Sequence, residues 1–489
     1  MRFKITSCAI LIATLVLVVG MLPTVSAGDA RKPECDQMDW IWDLWSIGFF
    51  SDAGFRKPGS DADLIGVTYI QDRLTEFGIQ DATIEPVSDW DYWDPNWYSL
   101  TVEIDLGWGF VIDLPLPCSF RPYTAFTGQD GIEAELIYVN DGMDADDYIG
   151  AEGKIAVVDL EAAGLPANLL MMFSPFTYDP ESTLPGTLMA ANWPVDNEDS
   201  YEIALEHDCV GFIGILNFLA DFRQSYYAPY RGEVLDLTGL YVSDFIGQVL
   251  KDLIAEDDVN ATIKLRGDVD PGTSYNVWGT VPGQTDDIIL VTTHHDGWAA
   301  NDASGISIVL GLAQHYAQLP PQSRQKTLMF MCHGGHFIGD VPTYSFIENH
   351  PDVVDRVLID LNIEQIGKDY QWDEGLLYDT GLAAARAMFI SGPPWSVDPQ
   401  LLGFAQNAIT NNDLDRTMVL PAAGPFGATP PGRVAGAWFE AGKPIIHMIT
   451  APAHQFTPED TPDKVMDTDL GTVTDTYIEL IDQLDVEFP

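Results

Sequence analysis

The sequence predicts an α/β protein: a mixed, mostly parallel sheet sandwiched by helices, with a smaller inserted α/β domain. Three observations predict it. From Asn276 onward, short apolar strands alternate with helical patterns, the mark of a sheet covered by helices on both faces. Gly131 to Leu265 carries a second, self-contained alternation of strands and helices, which reads as a domain inserted into the first. The chain has 489 residues, more than one core usually sustains, and 46% are apolar against 20% charged, too apolar for a disordered acidic tail. The expected division is a leader at 1–27, a main domain from 28–122 and 266–489, and an inserted domain at 123–265.

Arg2 and Lys4 precede the apolar stretch Ala9 to Val19, and Val25-Ser26-Ala27 has the small-residue pattern at which signal peptidases cut. Residues 1–27 therefore read as a secretory signal, with a retained anchor as the alternative; either implies export. Arg56 to Gly78 reads as a loop and then a helix capped by Asp61 or Asp63, with Ile65, Val67, Ile70, Leu74 and Phe77 at helical spacing. An aromatic, strand-rich stretch follows from Trp90 to Ile112. Within the insertion, Ile137 to Val139, Lys154 to Val158 and Val210 to Ile215 read as buried strands and Tyr201 to His207 as a helix. In the main domain, Asn276 to Gly279, Ile288 to Thr292, Thr327 to Met331 and Val357 to Ile363 read as strands, and Ser304 to Tyr316 as an apolar-periodic helix. Cys35, Cys118, Cys209 and Cys332 allow one or two disulfides in an exported protein, with the pairing open.

Charge narrows the function classes. Asp plus Glu number 74 against 23 Lys plus Arg, a formal −51, which repels nucleic-acid phosphate and anionic lipid. Nucleic acid is excluded as a partner. After the leader no segment is apolar enough to span a bilayer, so no membrane association is expected once the leader is removed.

The chemistry sits at strand ends. The strand Ile288 to Thr292 runs into His294-His295-Asp296, and Asp302 follows just before the Ser304-Gly305 helix start. The next strand ends in Cys332-His333-Gly334-Gly335-His336, and Val357 to Ile363 ends in Glu364. Successive strands thus deliver His, Asp, His and Glu to one rim, where open α/β sheets bind ligands. Imidazole and carboxylate together suit a first-row divalent metal, and Asp296 is spaced to orient His294. Any one of these residues alone would more simply be a cap or a hydrogen-bonded turn residue.

These residues resemble the M28 family of zinc metallopeptidases, the aminopeptidase and glutamate-carboxypeptidase-like group, over nearly the whole chain after the leader. Gly54-Phe55-Arg56-Lys57-Pro58-Gly59-Ser60 is similar to that family's opening loop, and Gly153 to Val158 with Gly211 to Gly214 resembles its inserted protease-associated (PA) domain. Thr293-His294-His295-Asp296 with Asn301-Asp302-Ala303-Ser304-Gly305 is the most specific match, and Thr457-Pro458-Glu459-Asp460-Thr461-Pro462-Asp463 resembles the closing motif. The resemblance implies that His294 binds one metal, Asp302 bridges two, Asp296 buttresses His294, and Glu364 is an acidic ligand of the same metal as His294. It also implies zinc, a peptide substrate or ligand, and leaves a homo-oligomer open.

Two departures fall on the second metal. Where the family has adjacent glutamates as general base and ligand, this chain has His336 and Phe337; where it has a histidine before Thr-Pro, this chain has Phe456. A phenyl ring donates no lone pair, so one ion is expected, with His336 as general base or as a further ligand that closes the site. His333, His447 and His454 could compensate but read more simply as packed histidines. The expected function is a secreted metal-dependent aminopeptidase. The alternative is a catalytically inactive homologue acting as an extracellular binding, structural or assembly protein.

Overall fold

The computed structural model describes residues 34–105, 110–161, 164–189, 197–217, 225, 227, 233–373, 376–424, 427–430 and 432–488. The leader lies outside them. Two helices open the described chain, α1 (Glu34–Phe49) and α2 (Asp61–Glu76). Ser60, not Asp61 or Asp63, caps α2, its hydroxyl accepting from the Asp63 N–H. Asp63 turns inward instead, accepting from the Gly59 N–H at 2.9 Å and facing the ring of His295.

The strands and helices that follow are β1 (Thr83–Asp105), β2 (Val111–Leu116), β3 (Ser119–Phe120), β4 (Ile132–Tyr138), β5 (Ile155–Leu160), β6 (Leu165–Pro166), α3 (Ala167–Met171), β7 (Phe176–Tyr178), β8 (Leu188–Met189), α4 (Asn197–Glu206), β9 (Gly211–Leu216), β10 (Gly239–Ser243), α5 (Asp244–Glu256) and β11 (Asn260–Val281). After them come β12 (Ile288–His294), α6 (Ser304–Ala317), β13 (Thr327–His333), α7 (Val341–Asn349), α8 (Pro351–Arg356), β14 (Val357–Glu364), β15 (Lys368–Asp373), β16 (Leu376–Ala383), β17 (Arg386–Ile390), α9 (Pro399–Asn411), β18 (Thr417–Pro421), α10 (Arg433–Glu440), β19 (Ile445–Ile449) and α11 (Asp467–Glu487).

The main sheet runs β3-β10-β9-β5-β4-β11-β13-β12-β14-β19-β17-β18-β7, with β1 beside β11 and β2 beside β1. Two parallel runs, β4-β5-β9-β10 and β13-β12-β14-β19, are joined through antiparallel β11. This is the mixed, mostly parallel sheet read from the sequence. Every residue of β12 is buried because helices cover both faces. On one face Ile289, Val291, Phe330 and Leu361 pack with Ile306 and Leu310 of α6 and Leu470 and Tyr477 of α11. A separate core joins Ile155, Val157, Ile213 and Leu240 to Ile246 and Leu250 of α5.

One segment within 123–265 does not stay with its neighbours. The strap from Leu165 to Met189 carries β7 to the far edge of the sheet, where Phe176–Tyr178 pair antiparallel with Thr417–Val419 of β18. Burial explains the excursion: Leu170, Leu184 and Met189 cover Ala387, Phe389, Met418 and Leu420, which would otherwise leave that face of β17 and β18 wet. Cys118, Cys209 and Cys332 are free thiols.

Candidate active site

The fold brings the expected residues to one rim. β12 ends in His294, a tight bend at Gly297 (φ 126°) follows, and a π-helical turn, Ala299–Ala303, presents Asp302. A Cβ on Gly297 would lie 1.5 Å from Asp302 Oδ2, so only glycine allows the bend. β13 leads through Gly334 and Gly335 (φ 85°) into a short turn bearing His336 and Phe337, and β14 ends in Glu364. His294, Asp296, Asp302, His336 and Glu364 are all buried.

Around His294 the geometry is specific. Its Nδ1 lies 3.1 Å from Asp302 Oδ1 and 3.2 Å from the Asp296 carbonyl. Both are acceptors, so Nδ1 carries a proton and donates it, which leaves Nε2 as the lone-pair nitrogen of the neutral ring. Nε2 faces Glu364 Oε2 at 3.9 Å, and Nε2 and both Glu364 oxygens have no hydrogen-bond partner. Asp302 is thus placed as the orienting carboxylate, with its Oδ2 taking the Trp298 N–H at 2.6 Å, rather than facing the same point as Nε2 and Glu364. Asp296 reaches Nδ1 by its carbonyl; its carboxylate is 3.8 Å away and accepts the backbone N–H groups of His336 (3.1 Å) and Phe337 (3.0 Å). Among the described residues no group of three His, Cys, Asp or Glu is arranged to hold a metal ion.

Electrostatics favour a positive charge at this spot. Burial disfavours the charged ring, yet Asp302, Asp296 and Glu364 lift the His294 pKa to about 10. Burial raises Glu364 to about 7, opposed by His294 and supported by Asp302. Asp296 stays below the usual carboxylate range: burial works against it, but the His294 ring 3.8 Å from its carboxylate and the other nearby imidazoles outweigh that. The pair at Nε2 and Glu364, buried and otherwise unpartnered, offers one nitrogen and one carboxylate to a cation.

Beside His336 the side chains are aromatic. Phe337 and Phe456 are buried, with ring centroids 5.6 Å apart at 85°. Phe337 also meets Phe55, Tyr227 and Trp298 edge-on, and Phe55 stacks on Trp298 at 4.1 Å. His336 stacks on His294 at 4.4 Å and, at 6.1 Å, on Phe456. The other histidines are engaged in packing: His333 accepts from Trp438 Nε1, His447 meets Asn362 Oδ1 at 2.6 Å, and His454 packs on Tyr370.

Sequence reasoning missed Arg56. Its fully buried guanidinium donates to the carbonyls of His295 (2.9 Å), Trp298 (3.0 Å) and Leu44 (2.7 Å), while its backbone pairs with Gly297 in both directions. It therefore pins residues 295–298, the bend that sets Asp296 and Asp302. The available signal was an arginine in an opening loop of a chain poor in basic residues. Beside the site lies a cavity of about 330 Å³, lined in part by His336, Glu364 and Gln365.

This fold is that of the M28-family zinc aminopeptidases. A zinc aminopeptidase from Bacillus subtilis aligns with a TM-score of 0.66 at 16% identity, covering 94% of this chain and 98% of its own. A peptidase M28 precursor from Shewanella amazonensis SB2B aligns at 0.64 and 17% identity, covering 94% and 97%. An aminopeptidase from Aneurinibacillus sp. strain AM-1 aligns at 0.56 and 18%, covering 91% and 93%. No family model matches the sequence, and no curated protein does. Among the described residues no helix is long and apolar enough to cross a membrane.

Proposed function

We propose that this chain is a secreted, metal-dependent exopeptidase of the aminopeptidase type that works with one zinc ion. The observation that carries the reading is the buried, unpartnered donor pair of His294 Nε2 and the Glu364 carboxylate, the latter lining a cavity. His294 and Glu364 would hold the ion, with Asp302 fixing the imidazole tautomer from Nδ1. When bound, such an ion acidifies water and polarises a carbonyl. The protein's own groups do the rest. His336, stacked beside His294, takes a proton at its imidazole and passes it to the departing amine. Asp296 holds that histidine in place through its backbone N–H. Phe337 and Phe456 keep water and a second ion out of the adjoining seat.

A specific observation favours a second reading, a non-catalytic homologue that binds a peptide end: only two donors face one another, and aromatic rings fill the neighbouring seat. The test is zinc content after purification without chelator, together with hydrolysis of a panel of aminoacyl anilides. One zinc per chain, with turnover lost in His336→Ala and Glu364→Gln, supports the exopeptidase. A zinc-free protein inert on the whole panel overturns it in favour of the second reading.

A further inference from the structure

We infer that β2 pairs with β2 of a second copy of this chain, as antiparallel strands about a two-fold axis at Ile112. β2 lies at an open edge: among the described residues it pairs with β1 alone, from Leu100↔Leu116 to Asp105↔Val111. Cross-strand partners share a face, so Leu100, Val102 and Ile104 stand with Leu116, Leu114 and Ile112. That apolar face begins inside a core, at fully buried Leu100 and Val102. It then runs out of cover: Ile112 is 44% exposed, and Phe110, just before the strand, is 70% exposed.

Pro115 decides which backbone groups face outward. It has no N–H, yet it is paired with Thr101, so that pair is of the kind that exchanges no hydrogen bonds of its own. By alternation Ile112, Leu114 and Leu116 turn their N–H and C=O toward β1, while Val111 and Asp113 turn theirs to the open side. A symmetric antiparallel pair sets each residue opposite one on the same face, so its axis passes through a residue and not between two. An axis at Asp113 or at Leu114 asks Pro115 for an N–H that it lacks, and the first also sets two carboxylates opposite each other. An axis at Ile112 sets Val111 opposite the partner's Asp113 and closes four backbone hydrogen bonds. Ile112 then faces its twin, Phe110 comes beside the partner's Leu114, and the apolar face continues from one copy into the other. Charge and proline thus select a register in which this edge complements itself.

The formal charge of −51 repels the twin at long range, and salt screens that repulsion without removing hydrogen bonds or apolar contacts. Self-association therefore strengthens with salt, whereas a basic partner would bind more weakly. So few residues per copy make a small interface, and the dimer is reversible.

The experiment is velocity sedimentation of the full-length protein over the micromolar range, in low and in high salt. A dimer should appear with rising concentration and more readily in high salt. Ile112→Lys places two ammonium groups on the axis and should weaken self-association by at least about tenfold. Under mild oxidation Ile112→Cys should give a disulfide-linked dimer, since opposed Cβ atoms lie about 4.5–5.5 Å apart. Asp113→Cys, two positions out of register with its twin, should link no more than the unmodified protein with its own thiols. A monomer at every concentration in high salt, without the Ile112→Cys link, overturns the proposal. A dimer untouched by Ile112→Lys, or linked through Asp113→Cys and not through Ile112→Cys, overturns this edge or this register. A monomer that binds phosphatidylcholine vesicles, and loses them in Ile112→Lys, gives the face to lipid and overturns the second copy.

Discussion

Replacing Phe337 by alanine tests whether aromatic packing has closed the second seat. The ring is fully buried and meets Phe55, Trp298, Tyr227 and Phe456 at centroid distances of 5.5 to 5.6 Å, all near edge-on. Truncating a buried phenylalanine costs about 3–5 kcal/mol from lost transfer energy plus the cavity left behind. Here the upper part of that range applies, because four edge-on partners lose their contact at once and Phe55, itself stacked on Trp298, cannot swing in to refill the space. Urea unfolding should show a lowered midpoint with an unchanged slope. In a double-mutant cycle, Phe337→Ala and Phe456→Ala should couple by about 1 kcal/mol, since each removes the other's partner. A cost below about 1 kcal/mol, or additivity of the pair, would mean that the rings are loosely placed and the seat is open. The argument for a single ion would then fail.

Four further outcomes follow from the same site. Arg56→Lys should destabilise by at least about 3 kcal/mol, because one ammonium cannot serve carbonyls on both sides of the bend; an unchanged unfolding midpoint would contradict the clamp. Gly297→Ala forces a Cβ against Asp302 at φ 126° and should abolish zinc uptake in equilibrium dialysis, whereas His454→Ala should not. Zinc affinity should rise with pH up to about 10, since an ion at His294 Nε2 must displace a proton from a ring whose charged form Asp302, Asp296 and Glu364 favour; a flat profile from pH 6 to 9 would refute this. Burial lifts Asp360 to about 8, above its unfolded value, so its contribution to stability is complete below about pH 4 and lost as pH rises through about 8. Asp360→Asn should therefore flatten the decline in stability between those limits, as read from urea midpoints.

Much of this site was legible in the sequence because strands advertise themselves. Ile288 to Thr292, Thr327 to Met331 and Val357 to Ile363 are apolar runs ended by polar residues, so the meeting of His294, Asp302 and Glu364 follows from the order of parallel strands. Which nitrogen of His294 faces which carboxylate was not legible, because that depends on the π-helical turn and on Gly297, set by backbone contacts with Arg56. The neighbouring positions of Phe337 and Phe456 were readable only through motif spacing. Asp63 was misread as a helix cap because carboxylates suit that place, and nothing local shows that Ser60 takes it while Asp63 turns toward His295. The strap was the hardest to foresee. Its pairing of Phe176–Tyr178 with Thr417–Val419 joins distant segments that carry no shared local pattern.

The partnership of β1 and β11 has a mechanical consequence. β11 is 22 residues long, about 70 Å at strand pitch, and pairs with β1 from Thr83↔Trp278 to Val102↔Ala261. It also holds β4 at one end and β13 at the other. Such a ribbon is a girder that ties the two halves of the sheet together, with breaks in register at Ser88/Trp90 and Pro95/Trp97.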